Sequence, residues 1–353
     1  MTGPRSALAT LMFGLAALAA PVALACAFHG YTPAPSVVAR LLESRHVVLA
    51  RPGPDDPLSY HAITTIRGGA EPAEIPDPVD DDTRRRLARD PADSVLFARD
   101  EMTGRWARLL YLDATMREVF DGVFGQLDDW EVAEGAERYQ PFAPLHAHGD
   151  RDVRILALNE LDQASYDILR GLEIEPDTAS LLAGFGSADE TGLQSIKILM
   201  LGLTDAQEAR RFLHQGLERS AAQSTPALLG AYATAIIEAE GAEGVAMLDR
   251  EILSDADLGI ESRERVLEAM AIHHSWGEEP TRAAIDRALG HRLWTDRDLA
   301  APVARQFGGY GNFTQAERLI GLLRDERLGT IADQLTVTHY LFMASRFVSS
   351  PAQ

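Results

Sequence analysis

Two short stretches of the sequence carry side chains of the types that bind metal ions. In the first, His146, His148 and Asp150 stand at alternate positions. Imidazole nitrogens and carboxylate oxygens are ligands of catalytic zinc, so this string predicts a metal-dependent hydrolase as one candidate function. Such a site needs a β-strand that leads into the string, whereas residues 139–145 have a helical pattern. We therefore favour a solvated loop between two helices for both histidines.

The second stretch is His273-His274, which Glu278 and Glu279 follow closely. Two histidines and two glutamates could bind a transition metal. Neighbouring residues of a helix point about 100° apart, however, so one helix does not aim both rings at the same ion. We interpret the pair as the end of a helix, where protonated imidazole interacts favourably with the helix dipole. The sequence thus predicts no catalytic residue and no cofactor, and both stretches stand only as metal-binding alternatives.

The only cysteine, Cys26, follows a segment with the features of a secretory signal peptide. Arg5 provides a positive charge, residues 7–20 form an uncharged apolar run, and small residues follow Pro21. The run is too short to cross a bilayer, which takes about 20 apolar residues. We expect residues 1–25 to be removed on export, leaving a periplasmic or secreted protein with no transmembrane segment.

The fate of Cys26 itself stays open at this stage. Cleavage after Ala25 would make it the first residue, and cleavage after Ala27 would remove it. The surrounding small residues also resemble a bacterial lipobox, although Ala23 stands where that motif usually has leucine. The resemblance implies a lipid anchor on Cys26, which would tie the protein to the cell envelope.

The composition is strongly acidic. Asp and Glu number 53 against 33 Lys and Arg, which gives a formal net charge of −20. A surface of this sign repels nucleic acids and anionic membranes, so we expect neither as a partner. Lys197 is the only lysine. A single cysteine excludes both a disulfide framework and a structural zinc–thiolate site.

Residues 26–135 have the pattern of a small β-rich domain with helical insertions. Residues 35–44 have helical spacing, and a polar turn at 100–104 predicts a hairpin between the last two of four strands. The proline- and aspartate-rich stretch 70–91 predicts a loop that contains a short basic helix at 83–89. The predicted strands are residues 46–50, 60–67, 94–99 and 105–112.

This order of features resembles the OB-type β-barrel of the netrin and metalloproteinase-inhibitor class. The resemblance covers residues 28–115 and rests on an early cysteine, a helix, and a strand that ends in Ala50-Arg51-Pro52. It implies a small barrel of the kind found at the start of exported bacterial proteins. In the animal inhibitors of this class the free amine of an N-terminal cysteine reaches a protease zinc. A cut before Cys26 would therefore allow a protease-inhibitor-like function.

From residue 136 to 350 the pattern is helical almost throughout. Residues 145–161, LHAHGDRDVRILALNEL, resemble the HEAT-repeat consensus of a helix, a short loop and a second helix. The resemblance implies that Asp152 caps the second helix and that Ala157 lies where the paired helix comes close. The residues that match the consensus are Leu145, Asp150 or Asp152, Val153, Arg154, Ala157 and Leu161.

Further helices follow, about ten between 136 and 348, at a repeat of roughly 35–45 residues that is typical of a degenerate α-solenoid. Residues 204–207 (TDAQ) and 314–317 (TQAE) predict capping boxes at the starts of two of them. In such an array each helix pair buries its apolar face only against its neighbours.

These patterns predict an α+β protein, mostly α, with an OB-like β-rich domain at 26–135 and a HEAT-like α-solenoid at 136–350. We expect a non-catalytic interaction or scaffold protein of the bacterial cell envelope, whose helical-repeat surface binds a protein partner still to be identified. A metal-dependent hydrolase that uses His146, His148 and Asp150, and a protease-inhibitor-like module, are the two alternatives.

Overall fold

A computed structural model describes residues 34–69, 74–131, 135–223 and 228–349. The expected signal peptide at 1–25 and Cys26 lie outside the described residues. Among the helices that are described, none combines the length and the apolar content needed to cross a membrane.

The N-terminal part forms one antiparallel sheet in the order β3-β2-β1-β4-β5. All four predicted strands are confirmed, and so is the hairpin between β4 and β5. The turn of that hairpin closes with a hydrogen bond from Asp100 N to Arg105 O of 2.8 Å, and Gly104 supplies the left-handed conformation it needs (φ +69°). The strands are β1 Val47–Pro52, β2 Ser59–Arg67, β3 Glu74–Pro78, β4 Ser94–Arg99 and β5 Trp106–Leu112.

Helices make up most of the remaining structure. Short 3₁₀ turns at Gln140–Phe142, Pro144–Ala147, Ala188–Leu193 and Arg297–Leu299 and a π turn at Asp249–Leu253 join some of them. The helices are α1 Val37–Glu43, α2 Asp81–Arg89, α3 Ala114–Phe124, α4 Leu127–Trp130, α5 Ala136–Tyr139, α6 Arg151–Leu161, α7 Tyr166–Gly171, α8 Thr178–Ala183, α9 Gln194–Gly202, α10 Gln207–Ala221, α11 Leu229–Glu240, α12 Ala242–Leu248, α13 Ile260–Trp276, α14 Glu279–Thr295, α15 Ala300–Gly309, α16 Ala316–Arg324 and α17 Ile331–Ser349.

The central strands β1 and β4 are buried on both faces of the sheet, which is why their sequences are almost continuously apolar. Along β1, Val47 and Leu49 face the helices, while Val48 and Ala50 face a second, smaller core. The sheet curls around this second core until the edge strands β3 and β5 contact each other. Leu87 of α2 fills the core from the side.

The stretch 70–91 was predicted as a loop with a basic helix, and only part of that prediction holds. The helix is confirmed as α2, whose start is capped by Asp80. Residues 74–78, in contrast, form strand β3, with Ile75 buried opposite Tyr60. The two prolines of β3 are tolerated because it is an edge strand, where one side of the backbone needs no ladder partner.

The helices from α9 onward form two layers. In one layer α9, α11, α13, α15 and α17 lie side by side in chain order, and in the other α12 packs against α14. The helices of the first layer begin 31 to 40 residues apart, a little closer than the predicted repeat. Helices α11, α13 and α15 therefore each contact the helix before and the helix after them in the layer, as in an array of helix pairs.

Helix α6 carries the string that resembled a HEAT repeat. Its apolar positions, Val153, Leu156, Ala157 and Leu161, are all buried, so the predicted face is confirmed. The two predicted capping boxes are wrong: α10 and α16 begin after Ala206 and Gln315, and neither residue makes a side-chain cap. Thr204 Oγ1 accepts a hydrogen bond from Ala206 N instead.

One buried carboxylate joins the sheet region to the helical array. Glu160 of α6 accepts hydrogen bonds from Ser36 Oγ (2.5 Å) and Val38 N (3.0 Å) at the start of α1. The core on the helix-facing side of the sheet also continues without a break into the helical array, from Val47 to Tyr340. Sheet and helices consequently share one hydrophobic interior.

Candidate functional site

The first of the candidate histidines, His146, is a buried structural residue. It lies in the 3₁₀ turn Pro144–Ala147, not in a solvated loop, so that expectation is wrong for this residue. Its Nδ1–H donates to Ala143 O (2.6 Å), and its Nε2 accepts from Asp177 N (3.1 Å). Both ring nitrogens are thus used to hold backbone groups together.

The other two members of the string support the start of α6. His148 Nδ1 accepts a hydrogen bond from Asp150 N (3.0 Å), and Asp150 Oδ1 accepts from Asp152 N and Val153 N. The N-cap of α6 is therefore Asp150, and the expectation that Asp152 caps it is wrong. His148 and Asp150 thus bind backbone N–H groups at the start of α6, which is a helix-capping role.

His273 and His274 are adjacent in α13 and serve two different networks. His273 Nε2–H donates to Thr234 O (3.0 Å) in α11, and its ring meets that of Tyr166 edge-on. Burial lowers the pKa of His273 to about 4, even though Glu238 lies nearby. The expectation of a protonated imidazole is wrong for this residue, because its surroundings favour the neutral ring.

His274 lies at the floor of an open groove of about 570 Å³. The end of α13, the start of α14, the turn between α15 and α16, and the end of α17 enclose it. The groove is lined by His274, Ser275, Trp276, Glu279, Arg282, Asp286, Tyr310, Gly311, Asn312, Phe313, Thr314 and Phe347. It combines aromatic walls with a polar floor, and we take it as the candidate functional site.

A continuous hydrogen-bond network forms the floor. His274 Nδ1 accepts from Asn312 Nδ2 (2.8 Å), and Nε2–H donates to Asp286 Oδ2 (3.3 Å). The other oxygen of Asp286 accepts from Gln315 Nε2 (3.0 Å) and Arg318 (3.2 Å). Burial opposes ionisation of Asp286, but hydrogen bonds from Gln315, His274 and others outweigh it and lower the pKa of this carboxyl. The floor therefore contains an ionised Asp286 carboxylate that accepts hydrogen bonds from His274, Gln315 and Arg318.

The turn after α15 positions Asn312 over His274. Gly311 adopts the left-handed conformation (φ +64°), which lets the chain reverse directly after α15. Asn312 N then bonds back to Phe307 O (2.9 Å), and Tyr340 of α17 donates its hydroxyl to Asn312 O (2.9 Å). Three helices thereby fix the turn, so the floor is preorganised.

Aromatic rings form the walls. Trp276 meets Tyr310 edge-on, with ring centres 5.4 Å apart, and Phe313 lies 5.6 Å from Phe347. Trp276 is about half-exposed and Phe347 largely exposed, so both present apolar surface to solvent. At the rim, Arg282 pairs with Glu279 at 3.0 Å. Exposed Trp, Tyr and Arg side chains of this kind dominate the energetics of protein interfaces.

A second, smaller cavity of about 210 Å³ lies beside α9. Its wall includes Lys197, which is buried with 3% of its side chain exposed and forms an ion pair with Glu190. Gly184 leaves room for this pair, since a Cβ there would lie 2.1 Å from Glu190 Oε2 and 2.6 Å from Lys197 Nζ. His146 and Arg154 complete the polar lining, both already bonded to backbone carbonyls. The cavity is therefore a polar gap between helices whose charged groups are already paired or hydrogen-bonded.

The described residues contain no group of three or more His, Cys, Asp or Glu side chains placed to share a metal ion. The structure therefore brings none of the five metal candidates together, and it assigns His274 to the groove. Sequence reasoning missed the partners of His274, namely Asp286, Asn312 and the aromatic walls. The signal that could have found them is GGYGNF at 308–313, where glycines and an asparagine stand beside two aromatic residues.

Comparison with known proteins gives no match: no family model, no curated protein and no solved structure is similar to this chain. The function must therefore be inferred from the groove and the surface around it.

Proposed function

We propose that this chain is an exported, non-catalytic interaction protein that binds a protein partner through the groove at the C-terminal end of its helical array. The observation that carries the proposal is the pairing of exposed aromatic walls, Trp276 and Phe347, with a preorganised polar floor. Such a surface offers apolar anchoring and oriented hydrogen bonds together, which is the composition of a binding hot spot.

The distribution of exposed apolar side chains supports the same end of the molecule. Most of the large ones in the described residues lie between 276 and 347, on α13, α14 and α17. Exposed large apolar side chains that are concentrated in one part of a molecule are typical of interaction sites. The partner we infer is a protein segment with apolar side chains for the walls and polar groups for the floor.

The proposal also assigns a type of fold to the helical array and to the sheet. The side-by-side order of α9, α11, α13, α15 and α17 supports a HEAT-like α-solenoid. In the sheet, β1 lies between β2 and β4, the edge strands approach each other, and α2 connects β3 to β4. This arrangement supports an OB-type barrel. We also propose that residues 1–25 direct export. The exported protein is then either free in the periplasm or held by a lipid anchor on Cys26.

The test uses a photo-crosslinking amino acid placed at Phe347 in the groove, and at Ile63 on the sheet as the matched exposed control. We expect a discrete crosslinked product in the cell envelope from position 347 and none from position 63. The partner identified in this way is then purified, and its affinity is measured for wild type and for Trp276→Ala.

Removal of an interface tryptophan at a hot spot costs about 2 kcal/mol or more, which is roughly a 30-fold loss of affinity. The proposal fails if both positions give the same crosslinks, or if Trp276→Ala binds the purified partner as tightly as wild type does.

A further inference from the structure

The last helix of the array, α17, has two apolar faces. On one face Val337, Tyr340 and Ala344 are buried, and α17 packs there against α15. On the opposite face Ile331, Leu335 and Phe342 are 76%, 65% and 56% exposed. Their spacing of four and seven residues places them on one line along the helix. We call this line, Ile331–Leu335–Phe342, the outer stripe.

The outer stripe occupies the place where the array would continue. Helices α11, α13 and α15 each pack between two neighbours in their layer. Helix α17 packs on α15 in that layer and also on α16, and it turns its remaining side to solvent. A line of exposed large apolar side chains is typical of an interaction surface. This side of α17 therefore has the surface of a helix that packs against another helix.

The charge distribution indicates which helix that is. The chain carries a net charge of −20, yet α17 contains one acid and one arginine. The acid, Asp333, is turned to the helix start, where it accepts hydrogen bonds from Thr330. Thr338 within the outer stripe and Ser345 just beyond it are exposed and uncharged. A second copy of the same acidic chain therefore meets little electrostatic repulsion at this face.

We propose that two copies of the chain associate through their outer stripes, with the two α17 helices antiparallel across a two-fold axis near Thr338. A two-fold interface uses the same patch on both partners, so the patch must complement itself. With the axis between residues 338 and 339, Leu335 of one copy lies opposite Phe342 of the other. Arg346, whose guanidinium lies 5.7 Å from the Phe342 ring centre, flanks this apolar contact. This self-association uses a surface other than the groove and goes beyond the proposed function.

The first experiment measures the mass of the intact protein in solution by sedimentation equilibrium, for wild type, Leu335→Glu and Ile63→Glu. We expect wild type and Ile63→Glu to have the mass of two chains. Leu335→Glu should weaken the association at least tenfold, because it places two like charges in the apolar interface. Ile63 is a matched control because it is also an exposed apolar side chain, but on the sheet.

The second experiment tests the orientation of the two helices. In a Cys26→Ser background, Thr338→Cys places the only thiol at the axis, and Ala332→Cys places it six residues away on the same exposed helix. A disulfide needs Cα atoms within about 7 Å, and six residues of helix displace each copy by about 9 Å from the axis. Mild oxidation should therefore link the Thr338→Cys chains into dimers and leave the Ala332→Cys chains largely unlinked.

The inference is overturned if wild type has the mass of one chain at about 100 µM, or if Leu335→Glu associates as wild type does. Equal crosslinking from both cysteine positions would overturn the antiparallel arrangement. None of these outcomes depends on a partner in the groove, so this inference and the proposed function fail or succeed separately.

Discussion

At the scale of single residues, the interior of the array contains two glutamates whose environments shift their pKa values in opposite directions. Burial raises the pKa of Glu268 to about 7, although Arg265 donates a hydrogen bond of 3.3 Å to it. One turn earlier, Arg305 and Gln306 bond to Glu264 and, against the effect of burial, lower its pKa. These neighbours provide a matched pair for measuring what burial costs.

We predict that Glu268→Gln stabilises the protein at high pH and has little effect at low pH. A pKa raised on folding means that the folded state binds the proton more tightly, so this stability is present below about pH 4.5 and lost as pH rises through 7. A shift of this size corresponds to about 3 kcal/mol well above pH 7. The measurement is the free energy of unfolding by urea at pH 4.5, 7 and 9.

Glu264→Gln is the control, with the opposite sign. Its lowered pKa contributes stability above the unfolded value that is lost as pH falls through the folded value. The variant should therefore be less stable than wild type at neutral pH and approach it in acid. A benefit of Glu268→Gln that stays constant from pH 4.5 to 9 would show that packing, not ionisation, is responsible.

For the candidate site, the sequence points to individual residues but does not reveal their partners. It identified His146, His148, His273 and His274 as the histidines worth attention. Their roles depend on partners supplied by other elements, such as Asp177 for His146 and Asn312 for His274. Residues 31 and 38 positions away in the chain leave no local pattern, so the difference between a structural and a groove histidine could not be predicted.

At the scale of elements, the close contact between α9 and α11 depends on a glycine. Gly202, at the end of α9, faces α11, and a Cβ there would lie 2.6 Å from the Cα of Ala235. Gly122, in α3, has open space around it, with nothing within 4 Å of the corresponding position. A side chain is thus excluded by close packing at Gly202, whereas there is room for one at Gly122.

We predict opposite effects of the same substitution at these two positions. Gly202→Ala should destabilise the protein by about 1–3 kcal/mol, because α9 and α11 must move apart. Gly122→Ala should stabilise it by about 0.5–1 kcal/mol, because alanine loses less backbone entropy in a helix. Urea unfolding of both variants checks this, and equal effects at the two sites would contradict the close packing of α9 on α11.

Elements with a clear apolar period were predictable, and elements that depend on tertiary contacts were not. Strand β4 was predicted at its observed bounds because its residues are buried on both faces. Strand β3 was missed because EIPDP has no strand pattern of its own and pairs only because β2 lies beside it. The two capping boxes failed because α10 and α16 begin two residues and one residue later than the boxes require, which takes Thr204 and Thr314 out of the N-cap position.

At the scale of the whole molecule, the sheet and the helical array are joined at the start of α1. Glu160 provides the acceptor for Ser36 and for the backbone of Val38, and all of these groups are buried. The hydrophobic core therefore continues across the predicted boundary between residues 135 and 136.

We predict that the chain unfolds in a single transition and that Glu160→Ala lowers its midpoint without splitting it. Removing the acceptor leaves buried donors at the start of α1 without a partner, which costs about 1–3 kcal/mol. Differential scanning calorimetry combined with circular dichroism of sheet and helix checks this. The exposed Glu118→Ala should melt like wild type. Two separate transitions, of which only one moves, would show that the sheet folds independently.

The buried ion pair of α9 has a consequence for how the protein can be modified. Lys197 is the only side-chain amine in the sequence, and folding encloses it beside Glu190. Acylating reagents and enzymes that act on lysine therefore find this side chain shielded as long as α9 stays folded. Once α9 opens, a single new amine appears at a known position. The rate at which Lys197 is acylated therefore reports how often the centre of the array opens.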